Sequence, residues 1–340
     1  MTLPGMDAAA LRRYLEAQGV AVRGELRVEL ISGGRSNLTY KACDDQSNWV
    51  VRRPPVSGLT PSAHDMAREF AVTNALQGTG IPVARTVALD ADGTALGAPM
   101  TVVEFVAGRV VRDFDDLRAL TDEQVTATAD ELVRVLANLH EVDYRAAGLG
   151  EFGRPEGFLG RQVALWANQW ERVKTRELPD VAVLSTRLAE SIPRHSAASI
   201  VHGDYRIDNI ILDAIDPTVV RAVVDWELST LGDPLTDVAL MCVYRNPAFD
   251  LVLGTRAAWT SDRLPSADEL AQAYATASGR DLGDWNFYLA LANFKLGVVG
   301  EGITHRALQG ASSGSGAERA ADATPEFIAA GLRALNGVSA

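Results

Sequence analysis

Residues 200–240 read IVHGDYRIDNIILDAIDPTVVRAVVDWELSTLGDPLTDVAL. His202, Asp204 and Asn209 sit on one short loop, Asp225 follows an apolar run, and Asp233 and Asp237 come next. Ile210-Ile211-Leu212 and Ala222-Val223-Val224 are short runs of branched apolar residues and predict buried strands. Between them, Asp213-Ala214-Ile215-Asp216-Pro217 is turn chemistry, which makes the pair a hairpin. A hairpin brings the residues before its first strand near those after its second, so Asp204 and Asn209 are expected close to Asp225. Two carboxylates and an amide, with no cysteine cluster nearby, suit a hard, oxygen-preferring cation such as Mg²⁺. Such a polar set has no packing reason to adjoin strands this apolar.

Phosphoryl transfer needs a set of this kind. One carboxylate accepts the proton of an attacking hydroxyl, while an Asn and a second Asp hold Mg²⁺ on nucleotide phosphates. The pattern H-G-D-x-x-x-x-N, with two hydrophobic residues and Asp further on, resembles the catalytic loop and metal-binding segment of protein-kinase-like enzymes. Gly203, where protein kinases have Arg, resembles the aminoglycoside phosphotransferase and choline-kinase branch. The wording VHGDYRIDNIILD with VVDWELSTLGDPLTDVAL is similar to the kinase-like domains fused to acyl-CoA dehydrogenases. The resemblance implies an α+β, bilobal, protein-kinase-like fold. Its smaller lobe, residues 1–106, holds an antiparallel sheet and a helix; its larger, mainly helical lobe is residues 107–340. ATP and Mg²⁺ are the implied cofactors, and a small molecule bearing a hydroxyl is the implied acceptor. Asp204, Asn209 and His202 form the implied catalytic loop, His202 as a brace, with Asn209 and Asp225 as metal ligands.

The composition fits that outline. The chain has 340 residues, 47% hydrophobic and 22% charged, enough for two lobes with ample cores. A net charge of −12 argues against a nucleic-acid partner, which wants a basic patch. The two cysteines, Cys43 and Cys242, are far apart and form neither a zinc motif nor a disulfide framework, as in a reducing cytoplasm. The opening MTLPGMDAAALRRYLEAQG has no signal pattern, and no apolar run reaches membrane-spanning length. These features predict a cytoplasmic monomer or homodimer without a membrane partner.

Towards the N-terminus, Val28–Ser32 and Leu38–Ala42 predict strands around the Gly-rich turn Gly33-Gly34-Arg35-Ser36-Asn37. Backbone N–H groups of such a turn can cover phosphates, and the resemblance assigns Gly33, Gly34, Ser36 and Asn37 to the nucleotide, with Ser36 and Asn37 at the tip. Asn48–Arg53 is the next strand, with Trp49 and Val51 on one face and Val50 and Arg52 on the other. Arg52 takes the position of the phosphate-binding Lys of V-A-I-K, a departure in shape since a guanidinium is a planar fork. Glu69, on the helix expected over 63–77, is its candidate partner, and Arg53 is expected to be solvated. Strand 99–106 leads to the linker, where the family's adenine contacts fall on the backbone of Glu104 to Val106.

Beyond the linker the periodicity is helical. Thr121 with Gln124 predicts a capping box on a helix running to His140, itself structural. Residues 157–177 predict another helix, whose Arg161, Trp166, Trp170 and Arg172 either floor a substrate pocket or divide between core and solvent. The resemblance implies that Asp237 holds the catalytic loop; Asp233 is expected to cap a helix, while Glu227 departs from the kinase D-F-G pattern. Residues 309–323 predict a flexible loop. The acceptor classes that the resemblance offers are aminoglycosides, choline-like alcohols, sugars, and hydroxy acids or hydroxyacyl-CoAs. A nucleotide-binding regulatory module without turnover is the alternative.

Overall fold

Strand periodicity shapes the first hundred residues. The computed structural model describes residues 3–33, 37–56, 65–310 and 316–337. It begins with helix α1 (Ala8–Ala17) and strands β1 (Arg27–Gly33), β2 (Leu38–Cys43) and β3 (Asn48–Arg53). Helix α2 (Met66–Ala75) and strands β4 (Thr86–Asp90) and β5 (Met100–Glu104) come after them. The strands make one antiparallel sheet in the order β1-β2-β3-β5-β4, with Tyr40 opposite Val51 and Arg52 opposite Thr101. Side chains alternate between faces, so Tyr40, Ala42, Trp49, Val51 and Val102 share one, and Leu11 and Leu15 of α1 join them in the core. Helix α2 packs against β4 and β5.

The same alternation corrects one expectation. Arg53 falls in step with Trp49 and Val51, so it turns inward and is buried, not solvated. Its guanidinium is satisfied there by the carbonyl oxygens of Gly5 and Leu96, as a buried charge requires.

The chain divides into two compact units, residues 1–107 with 221–229, and residues 108–220 with 230–340. The boundary of 106/107 taken from sequence therefore omits a return: Arg221–Ser229 packs with the first unit. Helical patterning dominates the second. Its elements begin with α3 (Phe114–Arg118), α4 (Asp122–Glu141), α5 (Phe158–Val173) and α6 (Pro179–Glu190), and Thr121 and Gln124 form the capping box of α4. Strands β6 (Ser199–Val201) and β7 (Ile210–Leu212) come next, and β8 (Val220–Val223) is the returning arm of the hairpin. Strand β9 (Thr230–Gly232) pairs with β6, Ile200 opposite Leu231; strands of three residues are too short for periodicity to reveal.

Helices α7 (Leu235–Val243), α8 (Phe249–Leu253), α9 (Ala267–Ser278), α10 (Trp285–Leu308) and α11 (Thr324–Leu335) complete the second unit. Helix α10 packs against α5, α6, α7, α8 and α11, which is why its sequence is apolar nearly all round. A Cβ on Gly300 would stand 2.8 Å from the carbonyl oxygen of Ala320, so a 3₁₀ segment, Ala317–Ala323, lies directly on the helix backbone. The flexible loop expected over 309–323 is corrected for that part. Ala317, Ala320, Ala321 and Ala323 are buried, and their small side chains serve close packing. Residues 311–315 lie outside the described residues. Among those described, no helix is long and apolar enough to cross a membrane.

Candidate active site

In the first unit the site is built around Arg52. Alternation on β3 sends its side chain to the face opposite Trp49 and Val51, where α2 presents Glu69 and the 221–229 segment presents Asp225 and Glu227. Arg52 Nη1 donates to Glu69 Oε1 at 2.5 Å and Nη2 to Asp225 Oδ1 at 2.8 Å, with Glu227 Oε2 4.0 Å from Nη2. Burial would lower the guanidinium's pKa, but Glu69, Asp225 and Glu227 together raise it, so it stays charged. Burial pushes the Glu69 carboxyl up, against the pull of Arg52. Arg52 Nε and Glu69 Oε2 are buried without a hydrogen-bond partner. Asp225 holds a left-handed backbone, φ 67° and ψ 59°, which costs a non-glycine residue on the order of 1–3 kcal/mol and concentrates at functional sites.

The nucleotide residues expected around the Gly-rich turn are only partly visible. Gly33 ends β1, whereas Gly34 and Ser36 lie outside the described residues. Asn37 is buried and gives its Nδ2 to Glu227 Oε2 at 3.1 Å, so its side-chain amide is directed at a carboxylate. Glu104 ends β5 with its side chain ion-paired to Arg85 and its N–H bonded to the Arg85 carbonyl. Phe105 N–H is taken by Asn48. Val106 N–H makes no hydrogen bond among the described residues and is available to a ligand.

In the second unit, Asp237 shapes the loop from His202 to Asn209. Its Oδ2 accepts His202 N–H at 2.5 Å and its Oδ1 accepts Gly203 N–H at 2.8 Å, with His140 Nε2 3.3 Å from Oδ2. Burial would raise this carboxyl, but the hydrogen bond and charge of His140 and the contacts of His202 lower it. His202 is fully buried, and its Nδ1 accepts Asp204 N–H at 3.2 Å, the geometry of a brace. His140 is buried between Asp237 and the Tyr274 hydroxyl. Asp233 precedes Pro234, the N-cap of α7, and accepts from Leu235 N–H, and from Ser196, Ala197 and Tyr288 as well.

Three side chains hold the Asp204 carboxylate. Arg206 Nε (3.1 Å) and the Tyr244 hydroxyl donate to its Oδ1, and Asn209 Nδ2 (3.1 Å) donates to Oδ2. Gly203, at φ +83°, turns its carbonyl oxygen to Lys295 Nζ at 2.8 Å. Burial would raise the Asp204 carboxyl, but the charge of Arg206, the Tyr244 hydroxyl and Lys295 bring it down to about 2. Asn209 also donates to the Asp204 carbonyl, leaving its Oδ1 without a partner among the described residues.

Sequence reasoning had not singled out Arg206, Tyr244 or Lys295. Lys295 left one signal, a cation inside an otherwise apolar helix. The candidate pocket residues on α5 divide between core and surface. Trp170 is core, Arg172 is exposed, Arg161 is held by the carbonyls of Arg154 and Glu156, and half-buried Trp166 faces Lys295, 5.7 Å from ring centre to Nζ.

Known proteins resemble this chain in sequence and in fold. The family described as "Phosphotransferase enzyme family" matches residues 27–286. A solved protein from Ralstonia eutropha, assigned provisionally to the aminoglycoside phosphotransferases, is 34% identical with a TM-score of 0.83, covering 98% of this chain and 99% of its own. Acyl-CoA dehydrogenase family member 10 of Mus musculus is 32% identical over 320 residues, 93% of this chain and 30% of the relative. Acyl-CoA dehydrogenase family member 11 of Homo sapiens is 31% identical over 309 residues, 90% of this chain and 39% of the relative. The chain thus spans well under half the length of these curated relatives. Aminoglycoside phosphotransferase APH(4)-Ia, solved in a ternary complex with ADP and hygromycin B, is similar in fold at 14% identity and a TM-score of 0.61, covering 97% of this chain and 98% of its own.

Proposed function

Because the chain belongs to the phosphotransferase enzyme family, we propose that it transfers the γ-phosphoryl group of ATP to a hydroxyl of a small molecule. The observation that carries this reading is Asp204. It is an ionised, half-buried carboxylate held by Arg206, Tyr244 and Asn209 on a loop that Asp237 fixes. Asp204 orients the acceptor hydroxyl and takes its proton. A carboxyl at about 2 is a weak base, but a loose phosphoryl-transfer transition state loads little charge on the attacking oxygen before the proton leaves, so orientation matters most.

The donors present suit Mg²⁺. Asn209 Oδ1 has no partner among the described residues, Asp225 spends one carboxylate oxygen on Arg52, and no three His, Cys, Asp or Glu side chains cluster as a metal site among the described residues. Mg²⁺ is commonly held by one or two protein groups together with substrate phosphates. Asn209 and Asp225 are the proposed ligands, and the ion would supply charge neutralisation on the nucleotide. Arg52 positions phosphate through its fork, with Glu69 as its anchor, while Gly33, Gly34, Ser36 and Asn37 border the nucleotide and the backbone of Glu104 to Val106 takes the adenine. Such fixed charges and donors stabilise the transferring group electrostatically.

Arg206 is spent on Asp204 and Asp208, but Lys295 near Asp204 disfavours a polycationic acceptor such as an aminoglycoside and favours a hydroxy acid or hydroxyacyl-CoA. The names of the curated relatives, acyl-CoA dehydrogenase family members, support an acyl acceptor. A cytoplasmic nucleotide-binding module without turnover is the second reading, favoured by the contact between Arg52 and Asp225. The test is a phosphotransfer screen with Mg·ATP across aminoglycosides, amino alcohols, sugars, hydroxy acids and hydroxyacyl-CoAs, reading ADP release and product mass beside Asp204→Ala. A product that vanishes in the variant supports the kinase; thermal stabilisation by Mg·ATP with no product from any class supports the module.

A further inference from the structure

The 221–229 segment is tied to the first unit at every second residue. Val223 N–H donates to the Pro82 carbonyl at 2.8 Å, and Asp225 accepts from Arg52 at 2.8 Å. Glu227 accepts from Asn37 at 3.1 Å, and the Ser229 carbonyl accepts from Arg68 Nε and Nη2 at 3.3 Å. Two of the four are main-chain ties that hold the segment whatever its side chains, and Asp225 has its place in the proposed chemistry. Glu227 is the one whose side chain the proposed reaction does not use. Its neighbour Trp226 is buried, with Nε1 bonded to the Val223 carbonyl at 3.0 Å, so the turn is rigid and the direction of Glu227 is fixed.

We infer that Glu227 is a positioning residue for the nucleotide, acting through Arg52 and Asn37. This rests on the phosphotransferase reading above. Arg52 Nη2 faces two carboxylates, Asp225 in contact and Glu227 at 4.0 Å. A divalent ion held by Asp225 would withdraw that carboxylate's charge from Nη2. Glu227, anchored by Asn37 at the entrance to β2, then remains as the counter-charge that keeps the fork aimed at phosphate. Glu227 thus serves nucleotide affinity without touching either the nucleotide or the acceptor.

The test compares Glu227→Ala, Glu227→Gln, Asn37→Ala and the double variant Glu227→Ala/Asn37→Ala with the wild type. Mg·ATP affinity is measured by calorimetry and both KM values by kinetics, with melting temperature confirming the fold. Glu227→Ala is expected to weaken Mg·ATP binding about tenfold, the effect of removing one charge-assisted interaction, with the acceptor KM unchanged. Asn37→Ala weakens it less, the double variant is no worse than Glu227→Ala, and Glu227→Gln, which still accepts from Asn37, falls between. Equal Mg·ATP affinity in all folded variants overturns the inference. So does a rise in the Mg²⁺ concentration for half-saturation at fixed ATP with Glu227→Gln as impaired as Glu227→Ala, which marks a metal ligand. A wild type that binds no nucleotide overturns the function itself, and this inference with it.

Discussion

Lys295 Nζ lies 2.8 Å from the carbonyl oxygen of Gly203. A half-buried lysine in the middle of an apolar helix holds the peptide just before Asp204, and the left-handed turn at Gly203 makes that carbonyl reachable. Burial lowers the Lys295 pKa against the pull of Asp204 and Asp237, so the residue is a burden on folding that the catalytic loop makes use of.

Lys295→Met should therefore separate stability from activity. Asp204 keeps Arg206, Tyr244 and Asn209, so no unpaired charge is left behind, and the loss of the donor to the Gly203 carbonyl, about 1–3 kcal/mol, is set against an ammonium that no longer has to be desolvated. The melting temperature is expected to change little, while kcat falls about 10²-fold from a misplaced loop. Calorimetry and kinetics on the same preparation decide it.

Asp204→Ala and Asp225→Ala are each expected to lower kcat by about 10²–10⁴-fold or more with the fold retained. Near-normal turnover in either, with far-ultraviolet circular dichroism unchanged, would remove the mechanism.

Arg52→Met leaves Glu69 buried without its cation and is expected to cost about 3–5 kcal/mol. Arg52→Lys keeps the charge and loses the fork, so its stability loss is smaller while its Mg·ATP KM still rises. Denaturant titration of both, with Arg52→Met/Glu69→Met recovering most of the loss, checks the pairing.

Asp237→Asn removes a carboxylate that accepts from His202, Gly203 and His140, at an expected cost of about 2–4 kcal/mol at pH 7. The sign with pH is set by its lowered carboxyl. A folded pKa below the unfolded one of about 3.9 contributes stability above that value and loses it as pH falls through the folded pKa. The gap between wild type and variant should be full at pH 7 and shrink below about pH 4; a gap independent of pH speaks against an ionised Asp237.

What could be read from sequence was whatever is local. The loop from His202 to Asn209 and the aspartate after the hairpin announce themselves because their spacing is set by a tight turn and two short strands. Glu69 could be paired with Arg52 because the kinase resemblance supplies the partnership, a cation on this strand with a Glu on the next helix. The same alternation, carried two residues past Val51, would have turned Arg53 inward. Tyr244 and Lys295 reach Asp204 from helices far along the chain, where no spacing rule applies. The alanines of 317–323 resemble loop composition because tight packing on a helix backbone and loose structure both favour small residues. β6 and β9 found each other through tertiary packing alone.

The first unit is written in two separated pieces of sequence, 1–107 and 221–229. Anyone exchanging modules between relatives would meet this at once. A graft of residues 1–107 alone would set a foreign Arg52 and Asn37 against the host's Asp225 and Glu227, and an excised fragment of those residues would lack both carboxylates. These four side chains have to be inherited together, so substitutions at positions 37, 52, 225 and 227 are expected to travel as a group when such chains diverge.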